Sequence, residues 1–181
     1  MSKDALIESA ISHWAPRMVS NGVMLTDFQE VTESIDQWAE WCAAWCKRAG
    51  VHEALGREAM AEGFYLSGAQ HLSRAAVYYH FAKFVFVQDV DQMKAAHMKA
   101  VECRRLALPH LTPPGERVAI PFEGKHLYGI LRKPAGVAGR GVVVASSTTK
   151  SLPAPCILVK RSCMRRLSAA VHGHCFMGGR Q

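Results

Sequence analysis

A change of hydrophobic period, at Pro109 and the Pro113-Pro114-Gly115 stretch, restricts this chain more than any other feature. Upstream of it, apolar residues recur every three or four positions; downstream they alternate. A period near 3.6 buries one face of a helix and a period of 2 buries one face of a strand, so no single element runs through the boundary. Proline brings no amide hydrogen and its ring clashes with the preceding helical turn, so the Pro-rich run ends the helical half. The chain is therefore expected to join a helical region to a sheet-forming one.

In the helical half, Phe28, Val31, Ile35, Trp38, Trp41 or Cys42, and Trp45 follow one another at steps of three and four. They predict one helix that begins at a Thr26–Gln29 capping box and stops at Gly50. Ser67 with Gln70, and Asp89 with Gln92, repeat the start signal ahead of HLSRAAVYYHFAKFVFV and MKAAHMKAVECRRLAL. Past the prolines, ERVAIPF alternates at Val118, Ile120 and Phe122, Glu123-Gly124-Lys125 reads as a turn, and HLYGILRKP reads as a second strand, which together predict a hairpin. GVVVA is a β-branched run of the kind buried on both faces of a central sheet. Three strands open a sheet without completing one.

The net charge of +7 is unevenly placed. Residues 1–150 carry 17 basic and 15 acidic residues, whereas residues 151–181 hold five basic residues, no acid and three of the six cysteines. The bulk of the chain is nearly balanced, so its basic pI points to neither nucleic acid nor membrane as a partner. No run approaches about eighteen consecutive apolar residues, so no membrane span is expected. Asp4 and Glu8 interrupt the N-terminal apolar residues, which excludes a signal peptide on this reading. Cys42, Cys46 and Cys103 sit in helical patterns and read as reduced thiols of a cytoplasmic protein.

Three stretches carry a resemblance: HWAPRMVSNGV followed by DF, RAAVYYHFAKFVF, and LPHLTPPGERVAIPFEGKHLYGILRKPAG with VVV after it. From about Trp14 to Lys150 they resemble, in order, the 2,6-dihydroxypseudooxynicotine hydrolase branch of the α/β-hydrolases. The resemblance implies an α/β-hydrolase fragment. Residues 1–112 would be an all-helical cap domain, 113–150 the first strands of the hydrolase sheet (hairpin plus one buried strand), and 151–181 an irregular tail foreign to the family. It also implies serine-dependent hydrolysis of a carbon–carbon or ester bond beside a carbonyl, with a small-molecule aryl ketone or ester as substrate and no cofactor. Family members pair as homodimers through their hydrolase halves.

Such chemistry needs a serine on a G-x-S-x-G turn, a histidine to take its proton, an acid to orient the histidine and backbone N–H groups for the oxyanion. None of the 181 residues forms a G-x-S-x-G. The resemblance puts nucleophile, acid and histidine farther along than Gln181, so no catalytic residue is assigned and the chain by itself is expected to be inactive. The family's oxyanion loop corresponds to VVVASSTTKS, where Thr148-Thr149-Lys150 match the family's S-T-K and Ser146 and Ser147 are the oxyanion-loop candidates. Arg17, Tyr78 and His80 are substrate-crevice candidates. Tyr78, Tyr79 and His80 could equally be a hydrogen-bonded core, and Arg17 could merely tie two helices together. The Trp38, Trp41 and Trp45 stripe reads as core.

Read one nucleotide later, the codons of His172-Gly173-His174-Cys175 can spell Met-Ala-Thr, a family phrase, so a frameshift near Ser151 is expected to have produced the tail. The same four residues lack a fourth ligand for zinc, and no metal site is expected. KRSCMRR has no aromatic interleaving, and nucleic-acid binding is not expected of it. The alternative to a hydrolase fragment is a free-standing helical protein-interaction module.

Overall fold

A computed structural model of the chain describes residues 3–122, 125–132, 143–147 and 157–159, with backbone alone for Phe122 and the last two segments. The chain divides into two units, Met1–Leu111 and the residues from Thr112 onward. Every described helix lies in the first unit and every described strand in the second.

The first unit opens with α1 (Ala5–Ser9), a π-helical stretch Ala10–Trp14 and α2 (Ala15–Ser20). Asp4 caps α1 by accepting from the Leu6 N–H at 2.9 Å, and its other oxygen accepts from the Trp38 N–H at 3.2 Å. The helix expected from Thr26 to Gly50 is two helices instead: α3 (Leu25–Glu33) and α4 (Trp41–Ala61), with a 3₁₀ turn at Trp38–Glu40 between them. The break has a tertiary cause. Lys3 Nζ donates to the carbonyls of Thr32, Glu33 and Ile35 at 3.0, 3.4 and 2.8 Å. These are carbonyls that a helix end leaves without partners, and a cation is favoured there.

The capping signals divide in the same way. α3 has Met24 at its N-cap with no capping side chain, so Thr26 lies inside the helix. The capping box belongs to Gln37 and Glu40, and Glu40 Oε2 accepts from the Asp36 and Gln37 N–H groups, both at 2.9 Å. Ser67 likewise lies inside α5 (Tyr65–Lys83), whereas Asp89 caps α6 (Val90–Ala107) and accepts from the Gln92 N–H at 2.9 Å. A 3₁₀ turn at Leu108–His110 ends the helices at Pro109.

Gly50 does not stop α4, which continues to Ala61. The glycines that matter are Gly56 and Gly68, where α4 and α5 pack backbone against backbone. A methyl on Gly56 would stand 2.7 Å from Leu72 Cγ and 3.0 Å from the Leu72 nitrogen; one on Gly68 would stand 2.8 Å from Met60 Cγ and 2.9 Å from the Gly56 oxygen. Around this contact lies the core, with Ile7, Met18, Trp41, Trp45, Leu72, Tyr78 and Phe86 fully buried. The tryptophan stripe is core: Trp38 and Trp41 stack at 4.8 Å, and Trp41 Nε1 donates to the Phe81 carbonyl at 3.0 Å.

α5 ends in a turn closed by the Phe86 N–H on the Lys83 carbonyl at 3.3 Å. Phe84 has φ −68° and ψ 122°, and Val85 has φ 55°. That is type II geometry with a β-branched residue where glycine is wanted. Burial of Phe86 and the edge-to-face contact of Phe84 with Trp14 at 5.7 Å hold the turn in place.

In the second unit, β1 (Gly115–Phe122) and β2 (Lys125–Arg132) pair antiparallel from Gly115↔Arg132 to Phe122↔Lys125. The expected hairpin is present, with Lys125 already in the strand. β3 (Val143–Ser147) pairs antiparallel with β2 through Gly129↔Ser147 and Ile130↔Ser146. β4 (Ile157–Val159) pairs antiparallel with β3 and completes the order β1-β2-β3-β4. Within the expected irregular tail, Ile157–Val159, an apolar, partly β-branched run open to a short strand or helix, forms a strand that pairs with Val143–Ala145; the rest of 151–181 lies outside the described residues. The described pairings are all antiparallel.

Two substitutions test this packing by urea unfolding followed through tryptophan fluorescence. Gly56→Ala is expected to destabilise the chain by about 1–3 kcal/mol, because the clash outweighs the gain in helix propensity. Val85→Gly is expected to stabilise it by roughly 1 kcal/mol by releasing the left-handed valine. Changes of the opposite sign would contradict the close contact and the turn, respectively.

Candidate functional site

Two carboxylates are buried in the helical unit: Asp27 on α3 and Glu53 on α4. A carboxylate taken out of water costs several kcal/mol unless its oxygens are paired. Asp27, only 1 % exposed, accepts from the Arg48 guanidinium, from the Tyr78 hydroxyl and from His52 Nε2, the last at 3.1 Å. Burial by itself would raise its pKa; the donors Arg48, Tyr78 and His52 together outweigh burial and hold the carboxyl at about 2. Burial, and then the neighbouring Asp27 carboxylate, push the Tyr78 phenol upward. Burial also lowers the His52 pKa against the opposing pull of Asp27. With Asp27 ionised, His52 carries its proton on Nε2, which leaves Nδ1 to accept from His71 Nδ1 at 3.3 Å.

Glu53 is held in the same manner. It accepts from Tyr79 Oη at 2.8 Å, from Arg57 Nε and Nη2 at 3.0 and 2.9 Å, and from Lys99 Nζ at 3.1 Å. Arg57 continues to Glu102 at 3.0 Å. The neighbouring residues Tyr78 and Tyr79 thus reach two different carboxylates. One network ties α3, α4 and α5 together, and the other ties α4, α5 and α6.

The chain Asp27–His52–His71 contains the acid and imidazole of a general-base relay. Among the described residues no serine, threonine or cysteine side chain hydrogen-bonds to either imidazole; the contacts of the two rings tie α3, α4 and α5 together.

The crevice candidates separate. Tyr78 belongs to the hydrogen-bonded core, with its hydroxyl on Asp27 and the Met24 N–H donating to it at 3.1 Å. His80 and Arg17 instead converge on one ring. The His80 imidazole lies 6.1 Å from Phe84 and 5.5 Å from Phe81, and the exposed Arg17 guanidinium lies 5.5 Å from the Phe84 centroid. Burial first, then the charges of Lys83, His97 and Arg17, hold the His80 pKa at about 4. Ser146 and Ser147 fall within β3, opposite Ile130 and Gly129, rather than in the loop that follows it. Thr148-Thr149-Lys150 and His172-Gly173-His174-Cys175 lie outside the described residues. Cys42, Cys46 and Cys103 are free thiols. Among the described residues no three His, Cys, Asp or Glu side chains are placed to hold a metal ion, and no helix is long and apolar enough to cross a membrane.

Sequence reasoning missed Asp27, His52 and Glu53, although their spacing carries a signal. Asp27 adjoins Phe28 and precedes Val31 by four, and His52 and Glu53 extend the Trp41, Cys42, Trp45, Ala49 stripe at steps of three and four. A charged residue in phase with an apolar stripe is buried and must find partners.

Similarity searches agree with this outline in one respect. No family model matches the chain, and no curated protein matches it either. Among solved structures, the crystal structure of the 2,6-dihydroxy-pseudo-oxynicotine hydrolase matches with a TM-score of 0.59 and 25 % sequence identity. The match covers 70 % of this chain and 35 % of that one, so the chain spans about a third of the length of its structural relative.

The site makes a pH prediction. The folded-state pKa of His80, about 4, lies below its ordinary 6.5, so the unfolded chain binds that proton more tightly. The resulting stability is complete above pH 6.5 and is lost as pH falls toward 4. Unfolding free energies measured across this window should decline toward acid, and less steeply in His80→Gln. An identical slope in the variant would contradict the buried neutral imidazole. Tyr78→Phe should cost on the order of 2 kcal/mol at pH 7, because it removes a donor from a buried carboxylate. A change below the error of the urea midpoint would contradict the Asp27 network.

Proposed function

We propose that this chain forms the helical cap and opening strands of a serine-dependent hydrolase that cleaves a carbon–carbon or ester bond beside the carbonyl of an aryl ketone or ester. The supporting observation is the match to 2,6-dihydroxy-pseudo-oxynicotine hydrolase at 25 % identity over 70 % of this chain, in which a helical region is followed by an antiparallel hairpin. In this reading the nucleophilic serine attacks the carbonyl, backbone N–H groups near Ser146 and Ser147 hold the oxyanion, and water releases the acyl group. Residues 1–181 contain no G-x-S-x-G, so the nucleophile comes from outside them. In the same reading, residues 151–181 arise from a shift of reading frame near Ser151. The coding DNA, read in its other frames, then continues into a hydrolase-like sequence with a nucleophile serine; no such continuation in any frame would contradict the shift.

A second reading has its own support. The core and both carboxylate networks of Met1–Leu111 are closed by residues of that unit, as expected of a free-standing helical interaction module. Limited proteolysis separates the two. A stable core ending near residue 111 that captures its own partner favours the module, whereas a core stabilised only by the complementary hydrolase half favours the cap.

For the hydrolase reading, the purified 181-residue chain is expected to turn over 4-nitrophenyl acetate no faster than buffer does. Turnover that a serine-directed fluorophosphonate abolishes would contradict it.

A further inference from the structure

The corner formed by α2, the end of α5 and the turn after it sets basic groups that belong to neither carboxylate network beside rings at the margin of the core. Its floor is aromatic. Phe84 and Trp14, both half-buried, meet edge to face at 5.7 Å, and Trp14 is anchored edge-on against Trp38 and Trp41 at 6.0 and 6.2 Å. Its walls are basic. The Arg17 guanidinium stands over Phe84 at 5.5 Å, the His80 ring lies 6.1 Å from it, and Lys83 follows His80 by one helical turn. The charged groups acting on the His80 imidazole are Lys83, His97 and Arg17, all of them basic. Among the described residues, neither Arg17 nor Lys83 has a carboxylate partner, in contrast to Arg48, Arg57 and Lys99, each of which is paired. Lys83 is half-buried in this state, and burial lowers its pKa.

A half-buried cation without a counter-charge, as Lys83 is among the described residues, is costly beside half-buried rings unless an anion completes it, and the exposed Arg17 stands over the same Phe84 ring. The occupant must be anionic, to meet Arg17 and Lys83, and flat, to lie against Phe84 and Trp14. Arginine meets a carboxylate with a planar fork that also stacks on rings.

We propose that the Trp14–Arg17–His80–Lys83–Phe84 corner is a binding site for a planar aromatic carboxylate. Arg17 and Lys83 hold the carboxylate, Phe84 and Trp14 contact the ring, and the neutral His80 donates or accepts one hydrogen bond at its rim. The site goes beyond the hydrolase reading. It is complete within the helical unit and needs no nucleophile, so its test is independent of turnover.

The test is isothermal titration of the full 181-residue chain with 2-naphthoate and with its neutral analogue 2-naphthamide, at pH 7.5 and low salt. 2-Naphthoate is expected to bind with a Kd of about 1 mM or tighter, and roughly tenfold tighter than the amide. Arg17→Met and Lys83→Met should each weaken naphthoate at least about fivefold without changing amide binding, while Arg105→Met in the last turn of α6 leaves both unchanged. Arg17 is exposed, so its substitution does not threaten folding, and circular dichroism of each variant verifies this. No heat of naphthoate binding up to about 10 mM, equal affinities for acid and amide, or wild-type affinity in both basic-residue variants would each overturn the proposal.

Discussion

The helical unit depends on a carboxylate that cannot remain buried alone. Asp27 enters the core on α3 and stays charged there because Arg48 and His52 from α4 and Tyr78 from α5 donate to it. The energetic asymmetry of such a site is what gives it specificity: the assembled network is close to neutral, whereas any arrangement that omits a donor leaves a buried charge exposed to its full desolvation cost. Helix pairings that fail to bring these donors together are therefore penalised. Glu53 applies the same constraint between α4, α5 and α6. Gly56 and Gly68 make both possible by letting the backbones of α4 and α5 come into contact.

What could be read in advance was whatever local periodicity determines. The stripe from Phe28 to Trp45, the Asp89 cap, the break at Pro109 and the β1–β2 hairpin are all consequences of residues within a few positions of one another, and they appear where expected. The division between α3 and α4 does not, because the group that stabilises it, Lys3, is 29 residues away from the nearest carbonyl it caps. Gly50 and Gly56 look alike in sequence; only the position of Leu72 makes the second indispensable. Thr26 offered a plausible cap, but the helix begins one residue before it, with Met24 at the N-cap and the Met24 N–H donating to the phenol of Tyr78, 54 residues on. Each failure is a long-range contact overriding a local preference.

For the candidate site, residue types were legible and directions were not. Tyr78, Tyr79 and His80 are consecutive on one helix, so their side chains spread over a wide arc: Tyr78 meets Asp27, Tyr79 meets Glu53, and His80 turns to Phe84 and Arg17. The first two serve the architecture. The third, with Arg17, Lys83 and the two rings, gathers charge and aromatic surface where, among the described residues, neither Arg17 nor Lys83 has a carboxylate partner. Architecture and recognition thus occupy adjacent residues of α5, and the networks that fix the helix also fix where its last turn presents Phe84.

The most direct measurement of this account is a carboxyl carbon-13 NMR titration of the folded chain with Asp27 assigned. The account predicts that the Asp27 resonance stays in its ionised position through pH 3 and moves only near a pKa of about 2, well below the ordinary 3.8. An Asp27 resonance that titrates near the ordinary 3.8 would show that the donors are not assembled around it, and the helical arrangement built on them would fall.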